Sequence, residues 1–171
     1  MQRTIWLAPV AVLACFAWSR TPSAHAQQST PPQGTAATSS GLVTVASNHA
    51  VSDTIERFEA AVRAKGWVVF AKLDHAAAAE AAGLQLLPRT VIVFGNPKGG
   101  TAAMRTNPTL AIDLPLKVLV WEDEGGKVWL TYNSAEFVGQ HVYGRHGLSL
   151  GAEPAQGLAK FLDDITRDAT Q

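Results

Sequence analysis

The stretch that most constrains this chain is a continuous apolar run, Val91–Phe94, which breaks into the glycine-rich sequence Gly95–Thr101 (GNPKGGT). Because apolar side chains occupy successive positions, neither face of this strand is clearly solvent-facing. The glycine-rich turn is expected to open a short helix over Thr101–Arg105, which ends before Asn107-Pro108. The rest of the chain is therefore expected to build a sheet around this strand.

Further segments rich in β-branched and aromatic residues read as strands. They are Leu42–Val45, Trp67–Leu73, Leu116–Trp121 and Lys127–Tyr132. Apolar residues at helical spacing predict two amphipathic helices, one over Val51–Val62 with Ser52 or Asp53 as its cap and Gly66 as its end, and one over Pro154–Arg167. Asp74 precedes an alanine run, Ala76–Ala82, that is helical by propensity.

The predicted order is strand, helix, four strands, helix, with small helical insertions beside the second and third strands. This order is typical of an α+β domain with two layers and a mainly antiparallel sheet. The acidic, double-glycine sequence Asp123–Gly126 predicts a hairpin turn between the last two strands. Pairing Trp121 with Val128 would place large apolar groups on both faces of that hairpin. One face packs on the helices, and we expect a homodimer to cover the other.

Charge and composition limit the classes of partner. The chain has 14 Lys plus Arg and 14 Asp plus Glu, so no positive excess is present to neutralise phosphates, and nucleic acid is not expected as a partner. Hydrophobic residues make up 47% and charged residues 16%, which is typical of one globular domain.

The N-terminus predicts export. Arg3, an apolar run over Ile5–Phe16 and the small-x-small sequence Ala24–Ala26 together predict a secretory signal peptide over residues 1–26. The apolar run is shorter than a membrane-spanning helix requires, so no membrane association is expected after cleavage. Lipoprotein processing at Cys15 is an alternative, because Val12–Cys15 resembles a lipobox.

Residues 27–40 are rich in Gln, Ser, Thr and Pro and show no apolar periodicity, so we expect a flexible linker before a single domain over residues 41–169. Cleavage after Ala26 would remove Cys15, the one cysteine in the chain. An exported protein without cysteine has no disulfide, so the domain must hold together by its core. The same loss excludes thiol catalysis and cysteine-ligated metals.

Several short motifs occur in a fixed order along the domain. They are Asp74–Ala79, Gly83-Leu84, Phe94–Lys98, Gly100-Thr101, Met104, Asp113–Leu116, Tyr132-Asn133 and Arg145–Gly147. Together they resemble the domain-of-unknown-function 302 family over roughly residues 42 to 168. The resemblance implies a small α+β fold and frequent self-association, and it implies no reaction.

The glycine-rich turn admits two interpretations. It differs from a nucleotide-binding P-loop, because Lys98 lies three positions before Thr101 and Gly occupies position 100. An anion site is one interpretation, since glycine amides at a helix N-terminus favour negative charge and Lys98 adds a cation. The other is a tight turn in which Pro97 and the glycines set the backbone and Thr101 caps the helix.

The histidines are the remaining candidates for chemistry. His75 follows a strand and adjoins Asp74, which would orient its imidazole for catalysis or else simply cap the alanine helix. His141 and His146 are five positions apart, which is not the spacing of two ligands on one helical face. His75, His141 and His146 are weak metal candidates, and no metal or other cofactor is assigned. Gly147–Gly151 matches Gly-x-Ser-x-Gly, but a serine nucleophile elbow requires a strand before it and a helix after it within a larger α/β scaffold, so we interpret the match as accidental.

Two function classes remain open. The first is a periplasmic, self-associating module that binds or interacts with a small polar or anionic ligand. The second is a metal- or haem-binding protein or enzyme that uses His75 and a second histidine. The sequence assigns no catalytic residue. The candidate ligand-binding residues are His75, Gly95, Asn96, Lys98, Gly100, Thr101 and Tyr132.

Overall fold

The computed structural model describes residues 40–171 as one antiparallel sheet with helices between and after its strands. The strands are β1 (Leu42–Ala46), β2 (Val68–Asp74), β3 (Arg89–Gly95), β4 (Leu116–Glu122) and β5 (Val128–Asn133). The helices are α1 (Val51–Ala64), α2 (His75–Ala81), α3 (Pro97–Thr106), the single turn α4 (Ala135–Phe137) and α5 (Ala152–Thr170). Short 3-10 helices span Pro108–Ile112 and Gly144–His146, and a π-helical turn spans Val138–Tyr143.

The five strands lie in the order β1-β5-β4-β3-β2, and every neighbouring pair is antiparallel. The predicted α+β class and the strand-helix-four strands-helix order are therefore confirmed. The apolar run of β3 lies between two strands, with Phe94 opposite Val69 of β2 and Leu116 of β4. The end of β3 and the start of β4 consequently meet at the same end of the sheet.

Helices α1 and α5 pack on one face of the sheet and form the core with it. Phe58 of α1 meets Phe94 edge-on, with ring centroids 5.2 Å apart, and both side chains are fully buried. Trp67, just before β2, stacks on Phe161 of α5 at 3.7 Å between centroids. Aromatic contacts between helices and strands therefore fix the helical layer on the sheet.

The predicted caps of α1 are wrong. The helix begins after Ala50, which makes no side-chain cap. The Thr54 hydroxyl instead bonds to the carbonyl of Ala50 and lies 2.7 Å from the Ser47 hydroxyl, so the buried polar groups of the first turn satisfy one another. The predicted end is correct, since Gly66 follows the helix with φ of 75°.

The alanine helix α2 agrees closely with its prediction. It spans His75–Ala81, and the Asp74 carboxylate accepts hydrogen bonds from the backbone N–H groups of Ala76 and Ala77. Gly83 follows it with φ of 74°. A capping aspartate before strong helix formers thus suffices to specify a helix of which no residue is buried.

Helix α3 starts four residues earlier than predicted. The Asn96 side chain accepts from the backbone N–H of Lys98, and Pro97 occupies the first helical position, so Asn96 and not Thr101 is the cap. Gly99 and Gly100 lie inside the helix, and neither has a positive φ. The tight-turn interpretation is therefore wrong in its geometry.

The hairpin between β4 and β5 differs from the prediction by one residue. Trp121 lies opposite Trp129 rather than Val128. The turn is longer because Asp123 pairs with Lys127 through the backbone, and Gly126 adopts φ of 78° within it. The Asp123 carboxylate also accepts a hydrogen bond from the Trp129 indole N–H at 2.8 Å. Among the interactions of Asp123, this hydrogen bond contributes most to lowering its pKa.

The predicted signal peptide, the linker up to residue 39 and Cys15 lie outside the described residues. Within residues 40–171, no helix has the length and apolar character needed to cross a bilayer.

Replacing Phe58 with Ala should lower the free energy of unfolding by about 3–5 kcal/mol, because the change leaves a cavity at the centre of the helix–sheet interface. Urea unfolding of the purified domain measures this cost. Ile112→Ala is the control: Ile112 is 77% exposed, so its loss should change stability by no more than about 0.5 kcal/mol. Equal costs for the two variants would contradict the described core.

Candidate functional site

A cavity of about 330 Å³ lies at the end of the sheet where β3 ends and β4 begins. It lies where Gly95 ends β3, Leu116 begins β4, and α3 and α5 converge. The connection from β3 to β4 supplies one wall, residues 138–150 supply a second, and the start of α5 supplies a third. Its residues are Trp67, Phe70, Gly95, Asn96, Pro97, Gly99, Gly100, Met104, Leu114, Pro115, Leu116, Val138, Tyr143, Leu150, Pro154, Gly157 and Leu158.

Gly95 of the GNPKGGT sequence allows close packing around this cavity. A Cβ at Gly95 would lie 3.3 Å from Cβ of Pro115, which is tighter than an ordinary contact. A Cβ at Gly100 would lie 3.6 Å from Cδ1 of Leu114, which is an ordinary van der Waals distance. Because Gly95 has no positive φ, it serves side-chain packing rather than an unusual backbone conformation.

Aromatic side chains supply much of the apolar surface. Phe70 reaches the cavity from a β-bulge in β2, where the register with β3 shifts between Val69 and Ala71. Phe70 is 52% exposed, so it forms part of the rim. Tyr143 lies on the opposite wall, and burial raises the pKa of its hydroxyl. An aromatic rim around an apolar interior favours a ligand with an apolar body.

The described lining includes no charged side chain, and its polar groups are few. Asn96 and Tyr143 carry the side-chain amide and hydroxyl, and the first turn of α3 carries backbone amides. Such a surface would not compensate the cost of desolvating a fully buried ion. A charged group of a ligand would therefore remain at the mouth, near the start of α3.

A cluster of polar and charged residues joins two walls of the cavity. Nε2 of His146 lies 2.7 Å from Oδ2 of Asp113, and Nε of Arg145 lies 3.3 Å from the same oxygen. The hydrogen bond from His146, followed by the charge of Arg145, holds the pKa of Asp113 below its ordinary value despite partial desolvation. Asp113 directly precedes the lining residues Leu114–Leu116, whereas His146 follows Val138 and Tyr143.

The other ring nitrogen of His146 connects to the end of α3. Nδ1 lies 2.7 Å from the Thr109 hydroxyl, and the Asn107 side-chain amide donates to the backbone carbonyl of His146 at 2.7 Å. Asn107 is also the cap between α3 and the 3-10 helix that follows. The cluster thus binds together the end of α3, the approach to β4 and the segment before α5.

Five of the predicted ligand-binding residues belong to the glycine-rich sequence, and the structure places them unequally. Gly95, Asn96 and Gly100 line the cavity. Lys98 and Thr101 are exposed on α3 and are not among its lining residues.

The two remaining predicted residues lie elsewhere. Tyr132 is buried under α5, its hydroxyl lies 3.4 Å from Oδ1 of Asp163, and burial raises its pKa. It lines a separate cavity of about 40 Å³. His75 is exposed beyond β2, beside the Asp74–Thr90 pair, about 17 Å along the strands from Gly95 at 3.3 Å per residue. The structure does not bring His75, Tyr132 and the glycine-rich sequence into one site.

The three histidines considered as metal ligands have different partners and do not share a site. His146 bonds to Asp113 and Thr109, the ring of His141 stacks on Phe137 at 4.6 Å, and His75 lies on the exposed α2. No group of three or more His, Cys, Asp or Glu side chains arranged to hold a metal ion occurs within residues 40–171.

Sequence reasoning missed most of the cavity, including Trp67, Phe70, Tyr143 and Leu158. Trp67 and Leu158 read as ordinary core positions of a strand and a helix. Asp113 was not among the candidate site residues, although its carboxylate anchors the cluster. One signal in the sequence could have indicated this contact. Asp113 and Arg145 have opposite charges, and both belong to motifs that carry the family resemblance.

Replacing Asp113 with Asn should destabilise the domain at about pH 7, where the carboxylate is ionised and paired. Because the pKa of Asp113 is lowered in the folded state, its stabilisation is present above the ordinary value of 3.8 and is lost as the pH falls through the folded value. The difference in urea midpoint between wild type and variant should therefore shrink from about pH 7 to about pH 3. Glu56→Gln, at an exposed acid of α1, is the control; a pH-independent difference for Asp113→Asn would contradict the ion cluster.

Comparison with known proteins identifies related chains over this region. Fluoride-specific ion channel FluC 1 of Brucella suis biovar 1 is 47% identical over 116 residues, which are 68% of this chain and 44% of that protein. FluC 2 of Brucella melitensis biotype 1 is also 47% identical over 116 residues, which are 42% of its length. This chain thus spans less than half the length of these curated relatives.

A solved structure shares the fold. The crystal structure of an uncharacterized conserved protein DUF302 from Bacillus stearothermophilus superposes with a TM-score of 0.63 at 20% identity, covering 75% of this chain and 98% of that one. The family described as domain of unknown function DUF302 matches residues 43–165, which run from β1 through all of α1 and into α5 as far as Ile165. The chain therefore belongs to the DUF302 family.

Proposed function

We propose that this domain is a binding module for a small molecule with an apolar body and a polar or anionic end. The cavity between α3, α5 and the end of the sheet is the observation that carries this proposal. Its volume of about 330 Å³ falls within the range of small-molecule sites, and such sites combine apolar walls with a few polar groups.

The apolar part of the ligand follows from the lining. Trp67, Phe70 and Tyr143 offer ring surfaces, and Leu114, Leu150 and Leu158 offer aliphatic ones. Burial of apolar ligand surface against these groups contributes about 25 cal/mol per Å². This chemistry adds an apolar body to the small polar or anionic ligand expected from the sequence.

The polar part follows from the position of α3. Pro97, Gly99 and Gly100 of its first turns line the cavity, and the N-terminal end of a helix favours negative charge. Lys98 lies exposed in the same turn, and its ammonium would be available to an anion bound at the start of α3. A carboxylate or similar group would therefore lie at the start of α3, with the apolar body directed inward.

Self-association is a second part of the proposal, supported by the face of the sheet opposite α1 and α5. Val91, Leu119 and Thr131 lie opposite one another across three strands on this face, and Trp121 stacks on Trp129 beside them. Val91 and Leu119 are only half-buried. A second copy of the domain placed on this face would remove the apolar surface from water.

Export to the periplasm completes the proposal and is supported by the sequence of residues 1–26. Lipoprotein processing at Cys15 is the alternative to cleavage after Ala26. Either route would place the binding module outside the cytoplasm.

Gly100→Leu should fill the cavity and weaken binding of the amphipathic probe 1-anilinonaphthalene-8-sulfonate at least about tenfold. Gly100→Ala is the matched control, because its Cβ would make only ordinary contacts with Leu114 and Met104. The alanine should also raise stability by about 0.5–1 kcal/mol, since glycine is unfavourable inside a helix. Probe fluorescence, with retained probe counted by native mass spectrometry, measures the result. Equal affinity for both variants would refute binding in this cavity.

Leu119→Lys should convert a dimeric domain into a monomer, because a charge would be buried at the centre of the sheet-to-sheet contact. The molar mass from light scattering at about 10 μM reports the change, a concentration at which a standard interface is populated. Ala60→Lys adds the same charge on the exposed side of α1 and should leave the dimer intact. A monomeric wild type would overturn self-association through this face.

A further inference from the structure

The polar side chains that line the cavity offer mainly hydrogen-bond donors. Trp67, Asn96 and Tyr143 are the described lining residues whose side chains carry N–H or O–H groups. An indole N–H can only donate, an amide both donates and accepts, and a phenol hydroxyl can do either. Met104 adds a thioether, which is a weak acceptor. What the cavity can recognise therefore depends on which of these groups already have partners.

The indole of Trp67 is held in position, and its N–H is free. One face of the ring stacks on Phe161 at 3.7 Å between centroids. The indoles of Trp121 and Trp129 both donate to neighbouring side chains. The Trp67 N–H has no acceptor within residues 40–171, and its nitrogen is not fully buried. It is therefore a fixed donor that is available to a ligand.

Asn96 supplies a second donor beside the first. Its side-chain oxygen accepts from the backbone N–H of Lys98, which leaves the two N–H groups of the amide free to donate. Val68 lies opposite Gly95 in the ladder between β2 and β3, so Trp67 and Asn96 are neighbours one position beyond it. Adjacent strands lie about 4.8 Å apart, so one oxygen-bearing group of a ligand can contact both donors.

The other polar groups at the walls follow the same pattern. Burial raises the pKa of the Tyr143 hydroxyl, so this group carries its proton at neutral pH and can donate from the opposite wall. The backbone carbonyl of Tyr143 accepts from the N–H of Leu148, and that of Pro115 accepts from the ammonium of Lys117. The acceptors at these walls are therefore engaged, whereas the donors remain available.

From this set of groups we infer that the cavity selects ligands whose polar end is a hydrogen-bond acceptor without protons of its own, and that Trp67 and Asn96 determine this specificity. Carboxylate, sulfonyl and ketone oxygens belong to this class. Each donor would find a lone pair on such an oxygen, whereas an ammonium group would place its own donors against those of the walls. The inference rests on the proposed binding function and names the chemistry of the ligand that the same site takes.

A matched pair of neutral naphthalenes separates hydrogen bonding from charge. 2-Acetonaphthone carries a ketone, and 2-ethylnaphthalene has a methylene group in its place. Competition with 1-anilinonaphthalene-8-sulfonate on the purified full chain should show about tenfold tighter binding of the ketone, because only the ketone accepts hydrogen bonds from the walls. 2-(Aminomethyl)naphthalene, whose ammonium only donates, should bind at least about tenfold more weakly than the ketone.

Two variants locate the donors. Trp67→Phe removes the indole N–H and keeps an aromatic ring against Phe161, and Asn96→Asp keeps the helix cap but exchanges the donor for an acceptor. Each should reduce the preference for the ketone to less than about threefold and change the affinity for 2-ethylnaphthalene by less than about twofold. A purely structural effect would instead weaken both probes alike. Asn48→Asp, which adds the same charge at an exposed position beside the end of α5, is the control and should leave the preference unchanged.

The outcomes separate this specificity from binding itself. Ketone and hydrocarbon that bind equally to the wild type, or an ammonium that binds as tightly as the ketone, would refute the inference and leave the cavity as a binding site. A preference for the ketone that survives in both variants would refute the assignment to Trp67 and Asn96. If no probe binds, including 1-anilinonaphthalene-8-sulfonate, the inference and the proposed binding function both fail.

Discussion

The antiparallel pairing of β3 with β4 is the constraint on which the rest of this structure depends. It places Phe94 opposite Leu116, so the chain leaving Gly95 must return to within one strand spacing after forming α3 and a 3-10 helix. This connection contributes no residue to the core between the sheet and its helices. It projects beyond the end of the sheet, where α5 and residues 138–150 meet it, and the space enclosed between them is the cavity.

The elements that the sequence specifies locally were predictable. The Asp74 cap and alanine run define α2, and the apolar stripe of α1 defines a helix whose inner face meets the sheet. The predictions of the α3 cap and of the hairpin register were wrong where two local sequence signals competed. Thr101 and Asn96 are both residues that cap helices, and the deciding factor was Pro97, which favours the first position of a helix. The hairpin register changed because the Asp123 carboxylate organises a longer turn than its glycines alone suggest.

The site was predictable only where one short segment contributes several groups to it. Gly95, Asn96 and Gly100 follow a buried strand, and that position marked them as candidates. The remaining walls come from four other parts of the chain and converge only in the tertiary structure. The contact between Asp113 and His146 joins positions 33 residues apart, and neither residue has a local pattern that requires the other. The β-bulge that places Phe70 at the cavity interrupts the alternation of β2, so no periodic pattern in the sequence indicates it.

Polar contacts between side chains are suited to holding walls of this kind. Residues 107–115 and 135–150 contribute few fully buried side chains, among them Leu110 and Val138, so little hydrophobic free energy holds these segments in place. An apolar closure strong enough to compensate would also fill the cavity, since the same side chains that sealed it would collapse into it. A partly exposed ion pair such as that of Asp113 and Arg145 contributes little by itself, whereas the hydrogen bonds of the enclosed His146 to Asp113 and Thr109 join the two segments away from solvent. Polar contacts between side chains at the edge of the walls thus hold the segments in place without filling the space that they enclose, and the core formed by α1, α5 and the sheet lies apart from them.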